Sequence, residues 1–441
     1  MTQNSVGTND PALKAGQVIA GGPGRRPLKI AFLMAWAYGM GGLVRTTVNT
    51  ANHFAAAGHD VTLLTFFRHR DEPFFEIDKR VTIRTLMDIR KSTTFGRVEK
   101  WQRSRPTILT PKQEGMHDQF SLRGDYVLWR ALRSLDADVL ITTRPAFNIA
   151  AAMWAPKKTI VIGEDHLNYT KHDPRLRWQM HEWYPRLDAM VTLTDADRQD
   201  YDRLLKGATT VRAIGNAVPA GPHPRSTGLE HVVVAAGRFT GQKQFQHMIT
   251  AFKEVVEQRP DWMLRIYGDG EAQPRLRSLI EELQVGDNVF LMGRTKTIEQ
   301  EFAKASIMAM SSKYEGFPMV ILEAFACGLP VVSYTCPRGP AEMITSGHDG
   351  LLVQNGSPHA LAQGLLELIN DEELRRKMGE NALDSAARHG IDHVAAQWED
   401  LFAELQTNRQ RRPSMPFQRA IRRRIGRALP WSRQRRVRWS K

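Results

Sequence analysis

The chain is poor in cysteine, with two thiols, Cys327 and Cys336, in 441 residues. Their spacing fits no zinc-ligand pattern, and two thiols build no disulfide framework. A reducing cytoplasm suits them. Long apolar runs are missing as well. No stretch of 18 uncharged apolar residues occurs, so no transmembrane helix is expected. Runs such as 149–155 and 319–322 are the size of core segments. The N-terminus lacks a charged-then-apolar leader pattern, and residues 1–26, small and polar with Gly and Pro, read as a disordered segment. Acidic residues are also absent from the basic C-terminal stretch. From Arg409 to Lys441 there are 13 basic residues and no acidic one, which leaves 48 basic against 47 acidic in the remaining chain. The net charge of +14 therefore belongs to a tail, and the near-neutral body gives no nucleic-acid signature.

What is present has the size and rhythm of two domains. Continuous apolar runs at 29–36, 60–67, 81–87, 137–143, 158–164 and 189–194 read as strands buried on both faces. Helical stretches such as 43–57 and 126–134 lie between them, which implies a doubly wound parallel α/β sheet. Residues 91–124 interrupt this rhythm with a polar, basic excursion, expected near an acceptor site. A Pro/Gly/Ser-rich linker at 221–230 separates a first domain, 27–220, from a second, 231–390. In the second, strands are expected at 231–237, 262–268, 288–292, 307–311, 330–334 and 350–353. Helices are expected at 242–257, 273–282, 318–327, 358–368 and 371–389, and a closing helix occupies 391–407.

Three segments carry chemistry. The turn Tyr38-Gly-Met-Gly-Gly-Leu-Val-Arg45 opens a helix, so its amides can approach an anion. A dinucleotide fingerprint fails there, because Val44 stands in the third glycine position and the second strand ends without an acidic residue. A tight structural turn is the plain alternative. Next, Gly237-Arg238 ends a strand and Lys243 begins a helix, which fits a diphosphate clamp or two surface cations. The third segment runs from Tyr314 through Glu315-Gly-Phe-Pro-Met-Val320 to Glu323 and Pro330. Pro318 suits a first helical turn. Glu323 falls on an otherwise apolar helix, where a carboxylate needs a partner such as a ribose.

Taken together, these segments resemble the retaining glycosyltransferases of family 4, which have the GT-B fold of two Rossmann-like domains facing a central cleft. Glu315 to Glu323 resembles the family's Glu-x7-Glu motif. Gly41-Gly42 matches its glycine loop, and Ala56-Ala-Gly-His-Asp-Val61 the following helix end and strand. Ile214-Gly-Asn-Ala-Val218 resembles the segment that closes the first domain. The resemblance implies a UDP- or GDP-linked sugar donor and neither cofactor nor metal. It implies that Arg238, Lys243, Glu315 and His166 are catalytic. It also implies that Gly41, Gly42, Gly237, Arg294, Gly316, Phe317, Pro318, Met319, Val320 and Glu323 bind the donor. One departure is Gln244, where the family often has glycine. The stretch from Cys336 to Glu342 is similar to a Gly-Pro-x-Glu variant in members acting on teichoic-acid-like polymers or lipid-linked glycans. The acceptor is accordingly expected to be a glycan, a polyol-phosphate polymer or a lipid-linked sugar. A sugar-nucleotide epimerase and an inactive partner subunit are the competing functions. Asp136/Asp138 and Asp195/Asp197 form Asp-x-Asp triplets with helix-capping or surface readings.

In the tail, Phe417, Ile421, Ile425 and Leu429 recur every four residues, with arginines off that stripe. A basic amphipathic helix within 409–441 fits an anionic membrane surface and a peripheral place on the inner face of the plasma membrane. RNA binding and a merely solvated tail are its alternatives.

Overall fold

The computed structural model describes residues 26–408 except 91, 95 and 337. The expected tail helix in 409–441 and the segment before Arg26 lie outside the described residues.

Seven parallel strands form the first sheet: β1 Lys29–Met34, β2 Asp60–Arg68, β3 Thr82–Asp88, β4 Val139–Thr142, β5 Ile160–Asp165, β6 Ala189–Thr192 and β7 Thr210–Ala213. Their order is β3-β2-β1-β4-β5-β6-β7. The second sheet holds six: β8 Val232–Ala236, β9 Met263–Tyr267, β10 Val289–Gly293, β11 Ile307–Met310, β12 Val331–Tyr334 and β13 Gly350–Val353, in the order β10-β9-β8-β11-β12-β13. Each sheet reverses direction once, between β1 and β4 and between β8 and β11. Such switch points open a crevice at the strand C-termini. Every residue of β4, β6, β11 and β12 is buried, which is why these strands read as unbroken apolar runs.

Several elements escaped the sequence reading. Strand β7 is a short edge strand, Thr-Val-Arg-Ala, with one buried residue and no apolar run. The run at 149–155 belongs to helix Pro145–Trp154, which Pro145 opens and whose Ala-rich body is buried all round. Helices Pro174–Trp183 and Asp195–Leu205 are mostly polar and bury three residues each. The described part of the excursion at 91–124 holds a helix, Arg97–Arg103. The Glu114 carboxylate ties it down by pairing with Arg144 and accepting the Ala146 N–H at 3.2 Å. Asp125 accepts from Thr107 Oγ1 at 2.6 Å and from the Ile108 N–H at 2.7 Å. The following helix starts earlier than expected, at Leu122, where Ser121 Oγ accepts the Gly124 N–H.

The chain crosses between the sheets twice. After the second sheet, helix Ile391–Thr407 returns to the first, where Trp398 and Phe402 pack in one cluster with Phe32, Val48 and Phe54. The crossings touch: the Val218 N–H donates to the His389 carbonyl at 2.8 Å. The His389 ring meets Phe317 edge-on at 5.5 Å. Burial, with Arg388 and His393 nearby, pushes His389 down to about 4. A histidine held neutral in the folded chain protonates first in the unfolded chain. Its contribution is therefore intact above its ordinary value of 6.5 and is lost as pH falls toward 4. The expected loss at pH 4 is about 3 kcal/mol. Urea unfolding of the wild type and His389→Gln at pH 7 and pH 4 checks this, because the variant should lack that part of the pH dependence.

Candidate active site

A cleft of about 1220 Å³ separates the two sheets, and its walls are the segments that follow the strand C-termini. All fourteen residues singled out from the sequence line it.

From the first sheet, β1 runs into the turn ending at Gly41. There φ is 144°, a value that excludes most side chains. Helix Gly42–Ala56 starts without a side-chain cap, so its first-turn amides stay available. His166 follows β5, and its ring nitrogen Nε2 lies 3.1 Å from Glu164 Oε2. Burial lowers the His166 pKa, but Glu164 and Asp165 outweigh it and hold the imidazole above its ordinary value.

From the second sheet, β8 delivers Arg238, and helix Phe245–Gln258 follows Lys243. Gln244, the departure from the family pattern, sits at φ 47° in the left-handed region, the conformation in which glycine is the easy residue. Beyond β11, Glu315 and Gly316 lead into helix Met319–Ala326. Pro318 is its cap residue rather than its first helical residue. Lys243 Nζ lies 2.6 Å from Glu315 Oε1. Arg294 pairs with Asp269. Arg238 has no ion pair among the described residues, and its charge only helps Arg294 hold the Asp269 carboxyl below its ordinary value.

The walls touch at several points. Arg45 Nη1 reaches across to Glu323 Oε1 at 2.9 Å and also pairs with Glu299. Burial and the nearby Glu299 raise the Glu323 pKa, and Arg45 opposes them. Asn168 Nδ2 donates to the Glu315 carbonyl at 2.8 Å, and Asn216 Nδ2 to the Phe317 carbonyl at 3.2 Å. Gly316 passes so close to the first sheet's loop that a Cβ would lie 2.8 Å from the His166 carbonyl oxygen. Arg45, Asn168 and Asn216 were not singled out from the sequence. Arg45 and Asn216 lie inside segments quoted there and Asn168 lies two residues beyond His166, but only contact across the cleft gives each side chain a role. The Asp-x-Asp residues are engaged elsewhere: Asp136 bridges Lys29 and Lys158, and Asp197 pairs with Arg338 at 2.7 Å.

Residues 40–220 match the family model described as Glycosyltransferase Family 4, and residues 224–384 match the one described as Glycosyl transferases group 1. The chain belongs to these glycosyltransferases. The two matches meet where the chain first crosses between the sheets, so the cleft lies between them. An exopolysaccharide phosphotransferase of Streptomyces coelicolor is 38% identical over 397 residues, 87% of this chain and 41% of that protein. The chain thus spans less than half the length of that relative. A Campylobacter jejuni enzyme named as an alpha-1,4-N-acetyl-D-galactosaminyltransferase of a PP-undecaprenol-linked glycan is 25% identical, over 86% of this chain and 99% of its own. Among solved structures, Staphylococcus aureus TarM, crystallised with UDP, superimposes with a TM-score of 0.69 at 16% identity, over 85% of this chain and 99% of its own. At that identity the likeness shows the fold, the two-sheet GT-B architecture. No helix among the described residues is long and apolar enough to cross a membrane.

Proposed function

We propose that the chain moves a sugar from a UDP- or GDP-linked donor to a hydroxyl of a cell-envelope acceptor, with retention at the anomeric carbon. The observation that carries this reading is Arg238, a cleft cation with no ion pair among the described residues. It stands beside Lys243, with the open amides of helices Gly42–Ala56 and Met319–Ala326 lining the same cleft. A nucleoside diphosphate supplies the negative charge that these groups lack. Glu323 accepts the ribose hydroxyls, and Arg294 and its neighbours border the base. Glu315 and the backbone of 316–320 hold the donor sugar, with His166 over it.

In the transfer, the acceptor oxygen bonds to the anomeric carbon on the face the diphosphate leaves. The bond from that carbon to the phosphate oxygen breaks, and its electron pair leaves with the nucleoside diphosphate. The acceptor proton passes to the departing phosphate. Arg238, Lys243 and the dipole of helix Met319–Ala326 stabilise the charge that develops there. Retention rests on the family resemblance. UDP in the TarM crystal favours a uridine donor.

A lipid-linked or polyol-phosphate acceptor is supported by the name of the Campylobacter relative and by the surface of the excursion. There Val98, Trp101, Ile108 and Tyr126 are exposed among Arg97, Lys100, Arg103 and Arg105. With the basic residues of 409–441, that surface suits a peripheral place on an anionic bilayer at the inner face of the plasma membrane.

The test is incubation of the full chain with UDP-glucose, UDP-N-acetylglucosamine or GDP-mannose plus a polyprenyl-diphosphate sugar or a polyol phosphate. NMR of the product's anomeric proton follows. A product with the donor's configuration is expected. Free sugar released without acceptor would favour the epimerase, and nucleotide binding without turnover the inactive subunit. In sedimentation with phosphatidylglycerol vesicles, Val98→Asp/Trp101→Ser should bind several-fold more weakly than the wild type, on the order of 10-fold.

A further inference from the structure

The segment from Cys336 to Glu342 makes contacts that sugar transfer as described does not use. It follows β12 and ends in a short helix, Pro340–Met343. Its turn lies directly against the donor-sugar loop. Gly339 adopts φ 60°, and a Cβ there would sit 2.6 Å from the Gly316 carbonyl oxygen and 3.1 Å from Pro318 Cδ. Arg338, beside it, holds φ 65°, an uncommon conformation for a residue with a side chain.

That turn aims Arg338 and Glu342 at the other domain. Helix Asp195–Leu205 begins with free N–H groups, and the Glu342 carboxylate accepts two of them, from Asp195 at 2.6 Å and Ala196 at 3.2 Å. Thr194 Oγ1 accepts the next, from Asp197. The helix is thus capped jointly by its own threonine and by a glutamate from across the cleft. The Arg338 guanidinium bridges Asp197, at 2.7 Å, and Asp200. All three side chains are at most 14% exposed, so this pair is not a loose surface contact.

Asp197 connects the bridge to the active site. Its Oδ1, which meets Arg338, also accepts the Tyr169 N–H at 2.9 Å. Tyr169 closes the loop that carries His166 and Asn168, and Asn168 holds the Glu315 carbonyl. A closed ring of contacts results: donor-sugar loop, turn 338–339, Asp197, Tyr169, the His166 loop, and back to Glu315 and Gly316.

We propose that Arg338 and Glu342 are positioning residues that latch the two domains together and set the His166 loop against the donor-sugar loop. Neither touches substrate. Their effect is on the closed arrangement in which the acceptor-side histidine meets the sugar. The role in transfer rests on the glycosyltransferase reading above, whereas the latch itself needs no turnover.

The experiment therefore has two arms on the full chain. In the first, spin labels on Arg133→Cys and Glu257→Cys, exposed sites on different domains, report the interdomain distance with and without UDP. The wild type should populate a short distance. Arg338→Ala and Glu342→Ala should shift the population to longer distances, with Glu342→Gln intermediate because it keeps one acceptor oxygen. Unchanged distributions in both alanine variants overturn the latch, whether or not the protein turns over any sugar. In the second arm, Arg338→Ala should lower kcat on the order of 10- to 100-fold. UDP affinity should stay within about twofold, since the nucleotide contacts are intact. Arg338→Lys should recover only part of the rate, because one ammonium cannot span two carboxylates. Asp200→Asn should lower kcat in the same direction and add little to Arg338→Ala. A kcat unchanged in Arg338→Ala, or a UDP affinity that falls in step with kcat, overturns the positioning role.

Discussion

Arg238→Ala is expected to lower kcat/KM for the nucleotide sugar on the order of 100- to 1000-fold, about 3–4 kcal/mol of transition-state stabilisation. Size follows from position. Arg238 is a cleft cation that makes no ion pair among the described residues, with Asp269 near enough only to feel its charge, whereas Lys243 is shared with Glu315 and Arg294 with Asp269. Its charge is thus already in place where charge develops on the leaving diphosphate, with no direct ion pair to break first. Lys243→Ala should cost less, because the cation it removes is partly neutralised in the free enzyme. Steady-state kinetics on both variants checks the order. A greater loss in Lys243→Ala than in Arg238→Ala would reverse the assignment of the principal phosphate contact.

A second large effect is expected on stability. Asp165 ends β5, and its Oδ2 meets His172 Nε2 at 2.6 Å and accepts from the Tyr201 hydroxyl; Oδ1 accepts the Leu167 N–H at 3.1 Å. The carboxylate and the imidazole are both buried. Burial alone would raise the Asp165 pKa, and His172 turns the net shift downward. For His172 burial is outweighed by Asp165, and its value rises. Asp165→Asn removes one charge from a buried pair and leaves the other without compensation, at a cost of about 3 kcal/mol or more. That corresponds to a drop in Tm on the order of 10 °C. The pair also sets a pH window. The depressed Asp165 contributes above its ordinary 3.8 and is lost as pH falls below it. The raised His172 contributes below its ordinary 6.5 and is lost as pH climbs through its raised value. Thermal melts between pH 2 and pH 9 should show the wild type losing stability at both ends and the variant flatter. An Asp165→Asn Tm within about 2 °C of wild type would remove this network from the account.

Legibility followed burial. Strands sandwiched between helix layers are buried at every position and carry at most one small polar residue, so β4, β6, β11 and β12 could be found without a partner sequence. The edge strand β7 and helix Asp195–Leu205 owe their form to neighbours: β7 pairs with β6, and the helix is capped from the other domain. Neither dependence leaves a local pattern. The site divides in the same way. Gly41, Lys243 and Glu315 sit where backbone chemistry and charge concentrate in a few consecutive residues. Arg45 is one arginine on an ordinary helix until Glu323 and Glu299 meet it across the cleft. Gln244 is the reverse case. The departure was visible in the sequence, and its physical content, a left-handed residue before a helix, required coordinates.

The most direct test of the diphosphate clamp is thermal unfolding of the full chain with UDP-, GDP- and ADP-sugars and with NAD as a control, repeated on Arg238→Ala. One nucleotide-sugar class should raise the wild-type Tm by several degrees, on the order of 5 °C at saturating ligand. NAD should leave it unchanged, and Arg238→Ala should lose most of the shift. No shift with any nucleotide sugar at millimolar concentration, or an equal shift in wild type and variant, would contradict the clamp.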